Sequence, residues 1–237
     1  MAVYTIADLH LSFGVNKPMD VFEGWHNYTE KLEACWKSLV KETDTVVLAG
    51  DISWGMKLEE TVEDFRYIHK LPGRKLILKG NHDYWWSTKN KIDTFFAENG
   101  FDDMDIIHNC AYAADDIAIF GTRGWLYNAK SAEDVKIVNR EAGRLQASLQ
   151  EAKKLGKKPV AFLHYPPVYD NMECTEILDM LEQNGIEDCY YGHIHGKYAA
   201  KKAPLGEYRG IRMHLISCDY VGFCPVLVTN GKHSRTT

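Results

Sequence analysis

Short runs of aliphatic and β-branched residues alternate along the chain with segments whose apolar positions recur every three or four residues. The short runs are typical of buried strands, and the longer spacing is typical of helices that pack one face on a sheet. The predicted strands cover residues 3–6, 45–48, 76–78, 117–120, 160–163, 189–191, 213–216 and 226–228. Strands that alternate with helices predict an α/β fold.

Apolar residues at helical spacing lie between these strands. The positions that carry the spacing are Tyr28, Leu32, Trp36 and Leu39; Leu58, Val62, Phe65 and Ile68; Ile92, Phe95 and Phe96; Leu145 and Leu149; and Ile177, Leu178 and Leu181. Gly100, Gly156 and Gly185 follow these segments as helix stops, and Ser131 with Asp134 resembles a capping box. No repeat or linker interrupts the pattern, so we expect residues 1–237 to form a single domain.

The composition excludes several classes of protein. Apolar residues make up 45% of the chain, which excludes a disordered protein. The 28 basic and 33 acidic residues leave a formal charge of -5, so we expect no stable binding to nucleic acid. The longest apolar stretch is interrupted by Gly222 and Pro225, and the first residues lack a basic leader, so we expect a cytoplasmic protein without a membrane span.

None of the six cysteines forms a C-x-x-C pair with another, so we expect all six to be reduced thiols.

Five predicted strands run directly into residues of the types that bind metal ions. These segments are Asp8-Leu9-His10, Gly50-Asp51, Gly80-Asn81-His82-Asp83, His164 and Gly192-His193-Ile194-His195. Taken singly, an Asp or His after a strand is more often a turn or cap residue. The carboxyl ends of strands converge on one crevice in α/β sheets, however, and together the five segments predict a metal site there.

The donor types favour a centre with two divalent ions. Residues i and i+2 of an extended segment point to the same side, so Asp8 and His10 can act together, as can His193 and His195. Asp51 has two carboxylate oxygens with which to bridge a pair of ions. Neutral His and Asn ligands leave only two anionic ones, so the ions stay electrophilic enough to acidify water and polarise a phosphoryl oxygen. Phosphoester hydrolysis needs both effects.

The five segments, in this order, closely resemble the signature of the calcineurin-like metallophosphoesterase superfamily. The resemblance implies a four-layer α/β/β/α sandwich. It also implies that the first metal takes Asp8, His10, Asp51 and His195, and the second Asp51, Asn81, His164 and His193. Ligands of these types without cysteine suit Mn, Fe, Zn or Ni, and we expect two divalent ions with Mn favoured.

By the same match, His82 is the histidine that approaches the phosphate and acts in catalysis. As an imidazolium it could stabilise the phosphoryl charge or protonate the leaving oxygen; the alternative is a supporting or surface histidine. Asp83 could orient His82 or cap the following segment. The protein-phosphatase branch continues Gly-Asp as x-x-Asp-Arg-Gly, whereas this chain reads Gly50-Asp51-Ile52-Ser53-Trp54-Gly55. The missing Asp and Arg argue against a Ser/Thr protein phosphatase.

Aromatic residues and one arginine crowd the same loops. Trp54, Trp85 and Trp125 each follow a site segment and could stack on a flat substrate group, although core packing is the alternative for each. Tyr127 lies in the same stretch as Trp125. Arg123 could clamp a phosphate or form a structural salt bridge.

We therefore expect a binuclear metal-dependent phosphohydrolase that cleaves phosphomonoesters or phosphodiesters by attack of a metal-activated water or hydroxide. The expected substrate is a small phosphoester or a nucleotide. Two alternatives remain open, namely a non-catalytic metal-binding scaffold of the same fold and a nuclease. The acidic balance of charges disfavours the nuclease.

Overall fold

Thirteen strands are found in the part of the chain that this computed structural model describes, residues 1–125 and 131–228. They are β1 (Val3–Ile6), β2 (Thr45–Ala49), β3 (Arg74–Leu78), β4 (Met104–Ile106), β5 (Ala111–Ala114), β6 (Ile117–Thr122), β7 (Lys158–Leu163), β8 (Val168–Tyr169), β9 (Met172–Glu173), β10 (Asp188–Tyr191), β11 (Gly206–Tyr208), β12 (Ile211–Leu215) and β13 (Val226–Leu227). All eight predicted strands are confirmed, each with bounds within two residues of the prediction.

Among the described elements, helices lie between six of the twelve pairs of consecutive strands. They are α1 (Tyr28–Leu39), α2 (Val62–His69), α3 (Lys89–Asn99), α4 (Ala132–Lys154), α5 (Thr175–Gln183) and α6 (Lys197–Ala200), and a 3-10 turn at Leu58–Thr61 precedes α2. The predicted capping box is confirmed at the start of α4, where Ser131 Oγ accepts a hydrogen bond from the Asp134 N–H at 3.0 Å. The predicted stop at Gly100 is also confirmed, because this residue ends α3 with a left-handed φ of 72°.

The strands form two large mixed sheets. The first has the order β13-β1-β2-β3-β4, in which β1 to β4 are parallel and β13 is antiparallel. The second has the order β11-β12-β10-β7-β6-β5, with four parallel central strands and an antiparallel strand at each edge. Strands β8 and β9 form a separate hairpin. The central strands of both sheets therefore bring their carboxyl ends to one edge of each sheet.

Three hydrophobic clusters define the layers. Between the sheets, Val47 and Leu76 of the first sheet belong to one cluster with Ile119 and Phe162 of the second. The opposite face of the first sheet packs on α1, α2 and α3, and that of the second packs on α4 and α5. Successive residues of a strand serve opposite faces, so both faces of each sheet are apolar. The predicted four-layer α/β/β/α architecture is confirmed.

The sequence pattern does not predict β4, β5, β8, β9, β11 or α6. Each has only two to four residues. A run this short shows no recognisable period. The missed strands β5 and β11 lie at sheet edges, so the order of the central strands does not depend on them.

The cysteine prediction is wrong for one pair. Cys35 of α1 and Cys224, just before β13, form a disulfide with their Cα atoms 5.4 Å apart. Both residues are half-buried and lie 189 positions apart in sequence, so spacing gave no sign of their pairing. Cys110, Cys174, Cys189 and Cys218 are free.

Backbone hydrogen bonds join the two sheets at their carboxyl edges. The Ala7 N–H, just after β1, donates to the Ile216 carbonyl at 2.9 Å, and the Cys218 N–H donates to the Ala7 carbonyl at 3.0 Å. The loops that follow β1 and β12 are therefore held side by side. Among the described helices, none has both the length and the apolar character needed to cross a membrane. That residues 1–237 form a single domain stays a prediction.

Candidate metal centre

The five polar segments meet where the carboxyl edges of the two sheets join. Asp8, His10 and His195 place ligand atoms within 4.8 Å of one another, and Asp51, His164 and His193 form a second group of the same size. The remaining predicted ligand, Asn81, has its Oδ1 2.7 Å from His164 Nε2. The structure thus brings all seven predicted ligand residues into one cluster with two halves.

Asp51 lies between the halves. Its Oδ2 is 3.4 Å from His164 Nε2, on one side, and 3.8 Å from His10 Nε2, on the other. Its Oδ1 accepts a hydrogen bond from the His82 N–H at 2.7 Å. A single carboxylate oxygen therefore faces a histidine of each group.

Unpartnered polar atoms show that the cluster fits a cation. Asp8 Oδ2 accepts a hydrogen bond from the His193 N–H at 2.9 Å, but the buried Oδ1 has no hydrogen-bond partner within the described residues. His10 Nε2 and His195 Nε2 lie 3.3 Å apart, and the latter is 3.6 Å from Asp8 Oδ1. A buried carboxylate oxygen without a donor is costly, and a metal ion would satisfy it together with the two imidazole nitrogens.

In two histidines, hydrogen bonds engage Nδ1, so that Nε2 is the atom that can bind a metal ion. His164 Nδ1 donates to the Ala49 carbonyl at 3.1 Å. His195 Nδ1 is 2.9 Å from Asp219 Oδ1, and Asp219 Oδ2 accepts from the Gly196 N–H at 2.9 Å. Such partners fix the tautomer and the orientation of metal-binding histidines.

The two buried carboxylates keep their negative charge. Burial alone would raise the pKa of Asp8, but His195 and His164 hold that pKa well below its usual range. Burial likewise opposes ionisation of Asp51, and His164 lowers the pKa of this carboxyl. Although burial disfavours a charged imidazole, Asp51 raises the pKa of His164 to about 9 and Asp8 raises that of His195 to about 10. In the metal-free protein, two imidazolium groups balance two carboxylates.

The other two histidines of the centre are neutral. Burial is the largest effect on both, and it lowers the pKa of His10 and of His193 to about 4. A neutral imidazole is the form that binds a metal ion. Two histidines of the centre are thus ready to bind, and two have to release a proton first.

Four of the predicted ligands have a left-handed backbone. The φ angles are 62° at Asp8, 46° at His10, 53° at Asp51 and 71° at His193. This region is unfavourable for residues with a Cβ atom, and such strain is concentrated at functional sites. The fold therefore holds these side chains in place at a cost to its own stability.

Two of the glycines that precede the ligands permit the loops to touch. A Cβ atom on Gly50 would lie 2.7 Å from Gly80 Cα and from His164 Nδ1, and one on Gly80 would overlap Asp51. Contacts this short do not occur in proteins, so no larger residue fits either position without displacing backbone. The loops that carry Asp51 and Asn81 therefore approach each other closely at both glycines.

His82 faces the same cluster from the loop after β3. Its ring centroid is 4.6 Å from that of Trp54 and 5.6 Å from that of His10, and its buried Nδ1 has no hydrogen-bond partner in the part of the chain that the structure describes. Asp83 does not orient the ring, contrary to one of the two predicted roles, because its oxygens accept hydrogen bonds from other groups. His82 thus lacks the carboxylate partner that the protein-phosphatase motif supplies.

Asp83 instead links the loop that follows β2 to the loop that follows β3 through hydrogen bonds. This fully buried carboxylate accepts hydrogen bonds from the backbone N–H groups of Gly80, Asp51 and Ile52 and from the indole N–H of Trp85, at 2.7 to 3.0 Å. Burial and the neighbouring Asp51 raise its pKa to about 6, while the N–H donors oppose the rise. Capping of the following helix, the other predicted role, belongs to Thr88.

The three predicted tryptophans occupy different environments. Trp54 is half-buried and stacks on His10, with ring centroids 4.8 Å apart and planes inclined by 21°. Trp85 is only 3% exposed and packs on Phe65, so the core-packing alternative describes it. Trp125 is half-buried at the edge of the described segment. Tyr127 lies outside the described residues.

Arg123 combines features of both predicted roles. Its Nη2 is 3.6 Å from the buried Glu141 carboxylate, and its guanidinium lies 4.6 Å from the centroid of the Trp125 ring. Its Nε is buried and has no hydrogen-bond partner among the described residues. Because the ion pair with Glu141 is long and Nε is still a free donor, this guanidinium can bind another anion.

Asp219 is a residue of the centre that sequence reasoning missed. It stands four residues after β12, and its carboxylate holds His195. An acidic residue shortly after a predicted strand is the signal that identified Asp8 and Asp51. The same signal was present here, but no recognised motif contains it.

The sequence as a whole was compared with models of known families. Residues 1–197 match the model described as calcineurin-like phosphoesterase. The chain belongs to this family. The resemblance drawn from the five motifs is thereby confirmed, and the family carries out metal-dependent phosphoester hydrolysis. The protein is a metal-dependent phosphoesterase.

Solved structures with the same fold agree with this assignment. A phosphopantetheinyl hydrolase from Mycobacterium tuberculosis is 13% identical with a TM-score of 0.56, covering 100% of this chain and 98% of that chain. A protein from Thermus thermophilus is 11% identical with a TM-score of 0.58, covering 96% and 97%. A protein of unknown function from Aquifex aeolicus is 16% identical with a TM-score of 0.51, covering 95% of both chains. No curated protein matches the sequence.

The Asp83 network makes a prediction for the metal-free protein. We expect Asp83→Asn to lower the free energy of unfolding by about 2 to 5 kcal/mol, because the new amide turns donors toward buried N–H groups. The measurement is urea unfolding in the presence of a chelator. Asp93→Asn is the control: Asp93 pairs with Lys89 on the surface and should cost about 0.5 kcal/mol or less. Equal stability of D83N and the wild type would contradict this account.

Proposed function

We propose that the phosphoesterase holds two divalent ions and that Asp51 is ligand to both. The observation that carries this proposal is the position of Asp51 Oδ2 between His164 Nε2 and His10 Nε2, at 3.4 and 3.8 Å. The proposed ligands are Asp8, His10, Asp51 and His195 for the first ion, and Asp51, Asn81, His164 and His193 for the second. We favour Mn among Mn, Fe, Zn and Ni.

Divalent ions bound there would supply the Lewis acidity that makes water nucleophilic and polarises the phosphoryl oxygen. The residues of the chain position these ions and neutralise them only in part, since Asp8 and Asp51 are the two anionic ligands. Asp219 and the Ala49 carbonyl hold His195 and His164 in the orientation that a ligand needs.

His82 is the proposed catalytic residue. Its ring lies beside His10 and Trp54 without contributing to either ligand group, and its Nδ1 has no partner within the described chain. A proton on this ring can pass to the leaving oxygen or stabilise the phosphoryl charge. Because no carboxylate holds the ring, its orientation depends on aromatic packing.

The proposed substrate is a small phosphomonoester or phosphodiester, including nucleotides. The half-buried Trp54 beside His10 supports an aromatic leaving group. The neighbour from M. tuberculosis is named a phosphopantetheinyl hydrolase, and a phosphopantetheinyl group contains a phosphoester. The absent Asp and Arg after Ile52 argue against a Ser/Thr protein phosphatase, and the charge of -5 argues against nucleic acid.

The cytoplasmic location remains a prediction. The disulfide between Cys35 and Cys224 counts against it, because disulfides are rare in that compartment.

The decisive experiment compares p-nitrophenyl phosphate with bis-p-nitrophenyl phosphate in the presence of Mn(II). We expect turnover of at least one, its loss on chelation, and two ions per chain by elemental analysis. Asp51→Asn should abolish turnover and lower the metal content, because it removes an anion that both ions share. Asp93→Asn is again the surface control and should leave both quantities unchanged.

Two outcomes would contradict the proposal. Wild-type turnover in D51N would exclude the shared ligand. Two bound ions without turnover of either ester, or of any compound in a screen of phosphorylated metabolites, would instead favour a metal-binding scaffold.

Metal binding should also release protons. His164 and His195 have raised pKa values in the metal-free protein, and their deprotonated forms are the ligands. We therefore expect the affinity for Mn(II) to rise between about pH 6 and 8, by up to about tenfold per pH unit for each proton released. Asp219→Asn removes one carboxylate that stabilises the proton on His195 and should release fewer protons. An affinity that is flat with pH would show the metal-free histidines to be neutral.

Replacement of His82 tests its role in catalysis. We expect His82→Ala to lower kcat by about 10²- to 10⁴-fold while both ions remain bound. The penalty should be larger for an alkyl phosphate than for p-nitrophenyl phosphate, because p-nitrophenolate leaves without a proton. His26→Ala, at an exposed histidine, is the control. Loss of metal from H82A would make His82 a ligand, and equal penalties would exclude general-acid catalysis.

Trp54 is expected to select the leaving group. Stacking on a flat group contributes roughly 1 to 3 kcal/mol, so Trp54→Ala should raise KM for aryl or nucleotide substrates by about 5- to 150-fold. The KM for a small alkyl phosphate should change little. Trp125→Ala provides the comparison at another half-buried tryptophan. If W54A alters both substrate classes equally, Trp54 supports His10 and does not contact the substrate.

A further inference from the structure

A second cavity lies beside the candidate metal centre, between the loop that follows β3 and the helix α4. It has a volume of about 240 Å³. Four charged side chains line it: Lys79, Arg123, Glu141 and Arg144. Ser87, Thr88 and Asn109 add neutral polar groups to the wall. The cavity is separate from the seven proposed ligands, none of which lines it.

Positive charge exceeds negative charge in this cavity. Three cationic side chains face one carboxylate, which belongs to the fully buried Glu141. That carboxylate is already well paired, since it accepts hydrogen bonds from Arg144 Nη1 at 2.7 Å and Thr122 Oγ1 at 2.6 Å. Arg123 approaches it only to 3.6 Å. Glu141 therefore balances one of the three cations, and two positive charges remain.

Two donors in the wall have no acceptor. The half-buried Lys79 ammonium has no hydrogen bond or ion pair within the described part of the chain. Arg123 Nε is buried and has no hydrogen-bond partner among residues 1–125 and 131–228. Burial lowers the pKa of His108 in the same wall, so this imidazole adds little positive charge to the cavity. Buried donors of this kind are costly unless an anion satisfies them.

The cavity shares two chain segments with the metal centre. Lys79 is separated from the proposed ligand Asn81 only by Gly80. The Arg123 carbonyl accepts hydrogen bonds from the N–H groups of His164 and Tyr165, at 3.2 and 2.8 Å. The segments that carry Lys79 and Arg123 therefore lie next to those that carry the proposed ligands Asn81 and His164.

We propose that this cavity binds a second anionic group of the substrate, a phosphate or a carboxylate, remote from the ester that is cleaved. Lys79 and Arg123 supply the free donors, and Arg144 adds charge while it holds Glu141. The inference rests on the proposed function of the metal centre, and it narrows the substrate class to small phosphoesters that carry a further anionic group. A free inorganic anion would be recognised by the same chemistry.

Anion binding is tested first without metal, so that phosphate cannot bind at the metal centre. The full chain is stripped with a chelator and titrated with inorganic phosphate, and binding is followed by calorimetry. We expect Lys79→Met to weaken binding about tenfold or more, because a charged donor to phosphate is lost. Lys79→Arg should retain binding. Lys41→Met, in the exposed turn before β2, removes the same charge elsewhere and should not change the affinity.

The second arm tests whether the anion is part of the substrate. A series of alkanediol bisphosphates of increasing chain length is compared with the monophosphate of each alcohol, using the Mn(II)-loaded enzyme. We expect Lys79→Met to raise KM for the bisphosphate of fitting length about tenfold relative to KM for its monophosphate. Circular dichroism confirms folding of each variant, and Lys79→Gln replaces Lys79→Met if the latter does not fold.

The outcomes separate this inference from the proposed function. Absence of phosphate binding to the metal-free wild type, or equal binding by the Lys79 variants, would overturn the anion site. Loss of phosphate binding with no change in the KM ratio at any chain length would overturn the substrate role and leave a site for a free anion. Absence of all turnover would refute the proposed function, whereas the metal-free titration would still decide whether the cavity binds anions.

Discussion

Asp8 and Asp51 place two negative charges out of water where the carboxyl edges of the two sheets meet, and each charge has to be balanced there. The carboxylates come from the neighbouring parallel strands β1 and β2 of the first sheet. The histidines that balance them, His164 and His195, follow β7 and β10 of the second sheet. The charge balance can therefore form only when both sheets are built and joined. In the metal-free protein protons supply the positive charge, and the proposed ions would replace them.

Local strain around the centre follows from this constraint. Left-handed backbone at Asp8, His10 and Asp51 turns three side chains into a small volume that an extended backbone would not reach. Gly50 and Gly80 let the loops approach closely, and the buried Asp83 holds those loops with charge-assisted hydrogen bonds. The stability of the apolar layers, with Phe162 and Ile119 between the sheets, offsets the cost of a polar cluster at their edge.

The sequence predicted the parts of the molecule that depend on local pattern. The eight strands and five helices have clear periods, and the ligand residues stand directly after strands in a recognisable order. The four-layer arrangement came only from the family resemblance, because alternation of strands and helices does not determine how two sheets pack. The Cys35–Cys224 bond, the contact of Asp219 with His195 and the network around Asp83 depend on residues that are distant in sequence or on loop geometry. No local pattern contains that information. The surplus of charge around Lys79 likewise emerges only once α4 is packed against the loop after β3.

The central claim is that one carboxylate joins two metal ions at the junction of the sheets. Anomalous scattering at the manganese edge, from crystals of the Mn(II)-loaded protein, tests this claim most directly. The account predicts two peaks per chain, about 3.5 to 4 Å apart, with the Asp51 carboxylate between them. A single peak, or two peaks of which only one contacts Asp51, would contradict it.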